Sequence, residues 1–304
     1  MKIKYQDIAL RTKAVALIGQ ANAIINEYAA QGYSLTLRQL YYQFVARGLL
    51  ANLQKNYKML GEVISSGRRA GLIDWDAIVD RTRFLRRPPY WDSPADLLAA
   101  CANQFKVNLW ADQEAYVEVW FEKDALLGVF DRACAARRLP MISCRGYGSD
   151  STWWESAQRI QSICGDRVHA FKPAIILHFG DHDPSGLDMT RDIEARLNLF
   201  GVYPTIKRMA LTMAQVKRYN PPPNPAKETD SRFADYQAEF GNESWELDAL
   251  SPDVLVRMVE KEVSKHIDED RWNAALALEE TGKSQLLTIS QNFNKAVKAA
   301  KGRK

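Results

Sequence analysis

The sequence contains few cysteines and no long apolar run. Its four cysteines, Cys101, Cys134, Cys144 and Cys164, form no Cys-x-x-Cys pair. This spacing excludes a paired-cysteine zinc motif and the disulfide framework of small secreted proteins. No segment approaches the roughly 18 consecutive apolar residues of a membrane span, and the N-terminus has no apolar signal core. We therefore expect a cytoplasmic protein without a membrane partner.

Net charge and nucleotide-binding motifs are also sparse. The formal charge is only +4, which alone does not predict a polyanionic partner, and no GxxxxGK[ST] phosphate loop occurs. The positive charge is nevertheless clustered, in SSGRRAG, in RTRFLRRPPY and in KAVKAAKGRK. The arginines of the first two clusters are Arg68, Arg69, Arg81, Arg83, Arg86 and Arg87. Such clusters beside aromatic residues are typical of nucleic-acid contact surfaces; the alternative is solvated helix faces and a frayed tail.

The first 90 residues have helical spacing. One helix is predicted within residues 8–28, with Gly32 near its end, and Thr36 is the predicted N-cap of a second helix, LRQLYYQFVARGLL. A third helix is predicted in NYKMLGEVISSGRRAGLI. Three short helices with a basic third one predict a winged-helix-like DNA-binding domain at 1–90. The paired prolines of RRPPYWDSP indicate a linker, which we place at 91–108.

The remainder of the chain alternates between two kinds of segment. YVEVWF, MISCRG and AIILHF are predicted strands, and the segments between and after them are predicted helices. This alternation predicts a mostly parallel, Rossmann-like sheet with its ligands at the carboxyl ends of the strands. The proline-rich stretch 217–231 is a predicted loop, and a helical appendage follows it. The expected fold class is thus α/β plus α, with the sheet domain and its appendage at 109–304.

Three carboxylates follow two of the predicted strands. Asp181 and Asp183 follow AIILHF in GDHDPSGLD, and they point to the same side if the strand remains extended. Glu122 follows YVEVWF. Converging carboxylates repel one another unless a cation neutralises them, and oxygen ligands favour Mg²⁺ or Mn²⁺. The alternative is that both aspartates cap the next helix while Glu122 pairs with Lys123.

FEKDALL, CRGYGSDST and GDHDPSG, in this order, resemble the toprim fold of the topoisomerase VI A subunit and the meiotic double-strand-break transesterases. WELDAL resembles the acidic segment near the family's C-terminus. The resemblance implies that Glu122, Asp181 and Asp183 bind Mg²⁺ and that Glu122 is catalytic. Trp153 and Trp154 stand where the family has an arginine. With no ATPase region, the chain is most similar to the stand-alone topoisomerase mini-A proteins, which implies nucleoid association in a bacterial or phage-infected cell.

TLRQLYYQF resembles the family's helix with an Arg-x-x-Tyr-Tyr pattern, in which Arg38 and Tyr42 are the matched positions. Residues four apart share a helix face, so Arg38 could steady the phosphate that Tyr42 attacks. A tyrosine with a pKa near 10 needs an activator at neutral pH. In the family, the toprim metal of the other protomer supplies it, which implies a homodimer. The alternative is that the tyrosine pair packs in the core, since Tyr41 is in register with Leu37 and Phe44.

Three functional hypotheses follow. The first is Mg²⁺-dependent cleavage of double-stranded DNA by Tyr42, leaving a 5′-phosphotyrosyl link, with rejoining by the reverse step and a separate ATPase subunit as a further partner. The second keeps the metal site and uses a metal-activated water, as in a hydrolytic nuclease. The third is DNA binding without catalysis. Candidate DNA contacts are Lys58, Arg68, Arg69 and Arg145.

Overall fold

The structure is a computed structural model that describes residues 1–80, 88–165 and 171–301 of the chain. The helices are α1 (Thr12–Ala30), α2 (Leu37–Ala46), α3 (Gln54–Arg69), α4 (Pro94–Gln104), α5 (Leu127–Ala135), α6 (Asp150–Cys164), α7 (Pro184–Leu199), α8 (Met213–Tyr219), α9 (Phe233–Phe240), α10 (Pro252–Val263) and α11 (Glu269–Lys301). The strands are β1 (Tyr116–Phe121), β2 (Met141–Ser143), β3 (Ala174–Phe179), β4 (Thr205–Ala210), β5 (Asn224–Pro225) and β6 (Glu243–Ser244). Short 3-10 turns precede α5, α10 and α11.

The chain divides into two compact units, each built from two separate stretches of sequence. The first unit comprises Met1–Arg83 and Val117–Glu262, and the second comprises Phe84–Tyr116 and Val263–Lys304. The predicted domains, at 1–90 and 109–304, are instead consecutive in sequence. The first unit therefore contains both the predicted tyrosine helix and the predicted strand-end carboxylates.

Helices α1, α2 and α3 pack around one hydrophobic core in the first unit. Thr36 begins α2 with a capping box: its hydroxyl accepts the Gln39 N–H at 3.2 Å, and the Gln39 side chain accepts the Thr36 N–H at 2.9 Å. Leu40 and Phe44 of α2 are fully buried in the core. The capping box satisfies two of the N–H groups that a helix start leaves unpaired. The predicted start of this helix is confirmed.

A four-stranded parallel sheet, in the order β2-β1-β3-β4, forms the other part of the first unit. All six residues of β1 and the last four of β3 are buried. Apolar runs of this kind fit central parallel strands, which are covered on both faces. YVEVWF and AIILHF are confirmed as strands. The predicted fold class, α/β plus α with a parallel sheet, is also confirmed.

The order of the strands brings the carboxyl ends of β1 and β3 together. The Glu122 N–H donates to the Phe179 carbonyl at 2.9 Å, just beyond both strands. Further along the chain, residues 182 and 245 form an antiparallel bridge, in which each N–H donates to the other's carbonyl at 2.8 and 2.9 Å. This bridge fixes the WELDAL segment beside the loop that follows β3.

In the stretch 217–231, predicted as a loop, α8 continues to Tyr219 and β5 pairs with β6. Thr212 caps α8 through the Gln215 N–H, and Asn220 ends the helix in the left-handed conformation. Asn is one of the few residues other than Gly that tolerates this conformation. The prolines that follow thus begin after a well-defined helix end.

The second unit is built on α4 and α11. Ser93 caps α4 and Pro94 occupies its first turn, so a helix forms within 91–108, where we predict a linker; residues 88–93 have no regular structure. The rings of Trp110 and Trp272 pack edge-to-face, with centroids 5.9 Å apart. Within the described ranges, no helix combines the length and apolar character needed to cross a bilayer.

Candidate active site

The carboxylates predicted as metal ligands lie at the strand end, a name we use for Glu122, Asp181 and Asp183. Strand β3 stops at Phe179, so the alternation expected to align the two aspartates does not continue through them. Asp183 instead caps α7, accepting the Gly186 N–H at 2.6 Å. One Asp181 oxygen accepts the Leu247 N–H at 2.8 Å. Helix capping, the alternative considered from sequence, is correct for Asp183 and wrong for Asp181.

Glu122 nevertheless lies against Asp181, because its carboxylate accepts the Asp181 N–H at 2.9 Å. The tight turn that follows depends on Gly186, where an added Cβ would collide with the Asp181 backbone. Backbone geometry therefore places Glu122 against Asp181, and the charge of Asp183 also acts on Glu122.

Arg208, on β4, bonds to the backbone of residues 180–186, which connect β3 to the start of α7. Its guanidinium donates to the carbonyls of Asp181 at 2.5 Å, Gly186 at 2.7 Å and Gly180 at 3.3 Å. The side chain is largely buried, so these bonds replace its hydration. The role of Arg208 was not predicted, because most of its partners are backbone carbonyls whose positions depend on the path of the chain.

Lys123 joins the strand end to the WELDAL segment. Its ammonium lies 2.9 Å from Asp181, 2.9 Å from Glu246 and 3.1 Å from Asp248. Although burial favours the neutral amine, the three carboxylates raise the pKa of Lys123, so it remains charged. Lys123 therefore forms its ion pairs with these three residues. The alternative in which it pairs with Glu122 is wrong.

Tyr42 lies at the other end of this network, the tyrosine end, which we define as Arg38, Tyr42, Glu246 and Asp248. The Tyr42 hydroxyl donates to the Glu246 carboxylate. Arg38 donates to the Tyr42 oxygen at 3.3 Å and to Glu246 at 2.5 Å, and its Nε is 3.1 Å from Asp248. The prediction that Arg38 and Tyr42 share a helix face is confirmed.

The two adjacent tyrosines of α2 differ in their partners. Both pack in the core, as one alternative predicts. The Tyr41 hydroxyl bonds to neutral groups, including the Leu53 backbone N–H at 2.8 Å. Tyr42 is equally buried, at 4% exposure, but its hydroxyl meets charged side chains. A cavity of about 190 Å³ adjoins the Tyr42 side chain, Arg38 and Glu246.

Electrostatics keep the shared proton on Tyr42. Burial, followed by the charges of Asp248 and Glu246, raises the pKa of Tyr42, while Arg38 opposes the shift. Burial alone would raise the pKa of Glu246, but Lys123 and Arg38 lower it to about 2. In this arrangement, Tyr42 is a neutral phenol facing an ionised carboxylate.

At the strand end, burial raises the pKa of two carboxyls, as it does that of Asp248, whereas the pKa of Glu246 is lowered. Burial raises the pKa of Glu122, and Asp183 adds to the shift, while the Asp181 N–H and Lys123 oppose it. Burial, with contributions from Glu122 and Asp248 and against the effect of Lys123, raises the pKa of Asp181 to about 7. Negative charge at the strand end is thus only partly compensated by the protein.

This charge imbalance bears on whether a metal ion would fit. In residues 1–80, 88–165 and 171–301, no group of three or more His, Cys, Asp or Glu side chains is arranged to hold a metal ion. The strand end offers oxygen donors alone, which suit a hard divalent cation, and the raised pKa values indicate that positive charge would be favourable there. The donor chemistry therefore fits Mg²⁺ or Mn²⁺, although the side chains do not converge on one point.

The predicted DNA contacts lie at separate positions. Lys58 and Arg69 of α3 are exposed. Arg68 donates to the Trp75 carbonyl and lies 4.7 Å from its ring centroid, and Arg145 is exposed and pairs with Asp124 at 2.6 Å. The remaining predicted arginines, Arg81, Arg83, Arg86 and Arg87, lie outside the described residues.

The chain matches no protein-family model and no curated protein. What the site can do is therefore inferred from its residues and their geometry. Lys123 connects its two ends through Glu246 and Asp248, and none of these three residues was predicted to belong to the site. Glu246 and Asp248 lie in the WELDAL segment, whose resemblance to the family assigned no role to either residue.

Proposed function

We propose that this chain is a Mg²⁺-dependent DNA transesterase resembling a type IIB topoisomerase A subunit, with Tyr42 as its nucleophile. The observation that supports this most directly is the unbroken set of contacts from Tyr42 through Glu246 and Lys123 to Asp181 within one compact unit. Tyr42 and Asp181, far apart in sequence, are thereby connected within one chain. Neither core packing nor helix capping requires this connection.

In the proposed reaction, the Tyr42 oxygen attacks a DNA phosphorus and forms a new P–O bond. The bond from phosphorus to the 3′-oxygen breaks, leaving a 5′-phosphotyrosyl link; the phenolic proton is lost to solvent, and the 3′-oxygen gains one. Arg38 lies beside Tyr42 and would donate to the non-bridging phosphate oxygens. The reverse attack by the 3′-hydroxyl would rejoin the strand.

Glu122, Asp181 and Asp183 are the residues that would hold Mg²⁺ or Mn²⁺, and the bound cation would supply charge stabilisation at the phosphoryl and leaving oxygens. We infer that α1–α3 form a winged-helix-like module and that the parallel sheet is a toprim domain. Lys58, Arg68, Arg69 and Arg145 would contact phosphates. By the same resemblance, the protein would act as a homodimer on nucleoid DNA, with a separate ATPase subunit as a further partner.

A second candidate is a hydrolytic nuclease that uses the same carboxylates and a water nucleophile. The burial of Tyr42 and its raised pKa favour this candidate, because a neutral phenol is a poor nucleophile. In that case Arg38 and Tyr42 would have a structural role, and Tyr42→Phe would leave cleavage intact.

A plasmid assay separates the candidates. Supercoiled DNA is incubated with the protein and Mg²⁺, the reaction is stopped with detergent, and samples are run with and without protease. We expect protein-linked nicked or linear DNA that is lost in both Tyr42→Phe and Asp183→Ala. Free ends made equally well by Tyr42→Phe, but not by Asp183→Ala, would establish the nuclease; binding without any cleavage would leave a non-catalytic DNA-binding protein.

A further inference from the structure

Glu246 is placed to control the reactivity of Tyr42. Its carboxylate accepts the Tyr42 hydroxyl and is held in turn by Arg38 at 2.5 Å, Lys123 at 2.9 Å and the Asn224 amide at 3.3 Å. Three parts of the first unit thus fix this one side chain: α2 through two residues, the segment after β1, and β5. An acceptor held in this way can orient a phenol and retain its proton.

We propose that Glu246 is a positioning residue for Tyr42: it keeps the phenol protonated and oriented in the resting protein, and Tyr42 becomes reactive only when this contact opens. The inference rests on the proposed role of Tyr42 as nucleophile. It also accounts for an otherwise unfavourable feature, a nucleophile that is buried and hydrogen-bonded to an anion.

The charges around Tyr42 decide the direction of the effect. Arg38 faces it from the same helix, Glu246 and Asp248 face it from the WELDAL segment, and Lys123 lies behind Glu246. Arg38 favours the phenolate, whereas the two carboxylates oppose it. Removing the charge of Glu246 should therefore ease ionisation of Tyr42, and a rate that depends on phenolate should rise at a given pH.

The first test measures acetylation of Tyr42 by N-acetylimidazole in the full chain without DNA, using peptide mass spectrometry. Tyr5, which is 69% exposed, serves as the internal reference. We expect Tyr42 to react at least tenfold more slowly than Tyr5 in the unmodified protein. Glu246→Gln should raise the Tyr42 rate about fivefold and Glu246→Ala further, with Tyr5 unchanged.

Glu243→Gln is the matched control, because Glu243 lies in the adjacent β6 with its side chain exposed. This variant should leave the acetylation rate of Tyr42 unchanged. Circular dichroism should show that all variants are folded. If Glu246→Ala does not fold, Glu246→Gln alone decides. Equal Tyr42 rates in the unmodified protein and Glu246→Gln would overturn the inference.

The second test follows the rate of covalent DNA adduct formation between pH 7 and 9.5. The rising limb should move to lower pH in Glu246→Gln by about one pH unit. A slower reaction throughout this range would contradict the inference, since it would make Glu246 a required base. If acetylation responds as expected but no protein forms an adduct, the positioning role stands and the proposed transesterase function fails.

Discussion

At the tyrosine end of the site, two carboxylates contact two cations, whereas the three carboxylates of the strand end share a single cation contact. Arg38 and Lys123 both contact Glu246 and Asp248, and the pKa of Glu246 is lowered. At the strand end, Lys123 contacts only one of the three carboxylates, Asp181, and the pKa of that carboxyl is raised. Both carboxylates of the tyrosine end thus contact cations, although burial raises the pKa of Asp248, whereas only one of the three strand-end carboxylates does.

This difference suggests a division of roles. The charges of the tyrosine end satisfy one another, so that end contributes stability and holds its phenol in place. The strand end gains from an added cation, so its carboxylates are better suited to function than to stability. Removing a charge at the strand end should therefore lower DNA cleavage with little loss of stability. Removing a charge at the tyrosine end should lower the stability of the protein.

The largest effect is expected for Asp181→Asn in the cleavage reaction. We expect DNA cleavage in Mg²⁺ to fall at least 10³-fold, or about 4 kcal/mol of transition-state stabilisation. The free energy of unfolding should change by less than about 1 kcal/mol, because burial already disfavours this charge. Urea denaturation beside the plasmid assay measures both. A stability loss as large as that of Glu246→Gln would remove the distinction between the two ends.

Arg208→Gln should produce the largest loss of stability. The guanidinium bonds to three loop carbonyls would be lost, and we expect the free energy of unfolding to fall by about 3 kcal/mol. Urea denaturation measures the change. The matched control is Arg191→Gln, an exposed arginine on α7 paired with Asp188, which should leave the midpoint unchanged. A similar midpoint for both variants would show that Arg208 does not hold the loop.

Glu246→Gln should destabilise the protein in a pH-dependent manner. A carboxyl whose folded pKa is lowered, here from 4.5 to about 2, contributes stability that is present above pH 4.5 and is lost as the pH falls through 2. We expect a deficit of about 2 kcal/mol at pH 7 that shrinks between pH 4.5 and 2. Denaturation midpoints over this range measure it, and a deficit independent of pH would rule out a charge effect.

The smallest effect is stabilisation by Mg²⁺ alone. At ten times its dissociation constant, the cation should add about 1.4 kcal/mol to the stability of the unmodified protein. Differential scanning fluorimetry should show an upward shift that disappears in Asp181→Asn and persists in Glu246→Gln. A shift retained by Asp181→Asn would place the cation elsewhere.

Much of the fold follows from local sequence patterns. YVEVWF and AIILHF match β1 and β3 residue for residue, because an unbroken apolar run suits a strand covered on both faces. The capping box at Thr36 is equally local. Strand β4 was not predicted: its sequence, TIKRMA, mixes charged and apolar residues, and its first residues are exposed or half-buried.

The site was less predictable than the fold. The order of motifs indicated Glu122, Asp181 and Tyr42, but not that Lys123 and Glu246 would lie between them, since those contacts span more than 120 residues. Asp183 illustrates a different limit. Its position after a strand suits both a metal ligand and a helix cap, and only the backbone path shows that it caps α7.

The central claim, that Tyr42 forms the covalent link, is tested most directly by locating the link itself. DNA-linked protein is digested with nuclease and trypsin, and the peptide QLYYQFVAR, residues 39–47, is fragmented by mass spectrometry to separate Tyr41 from Tyr42. We predict a residual nucleotide on Tyr42, absent when Mg²⁺ is chelated before DNA is added. Cut DNA with no nucleotide on this peptide, or a nucleotide on Tyr41, would contradict the account.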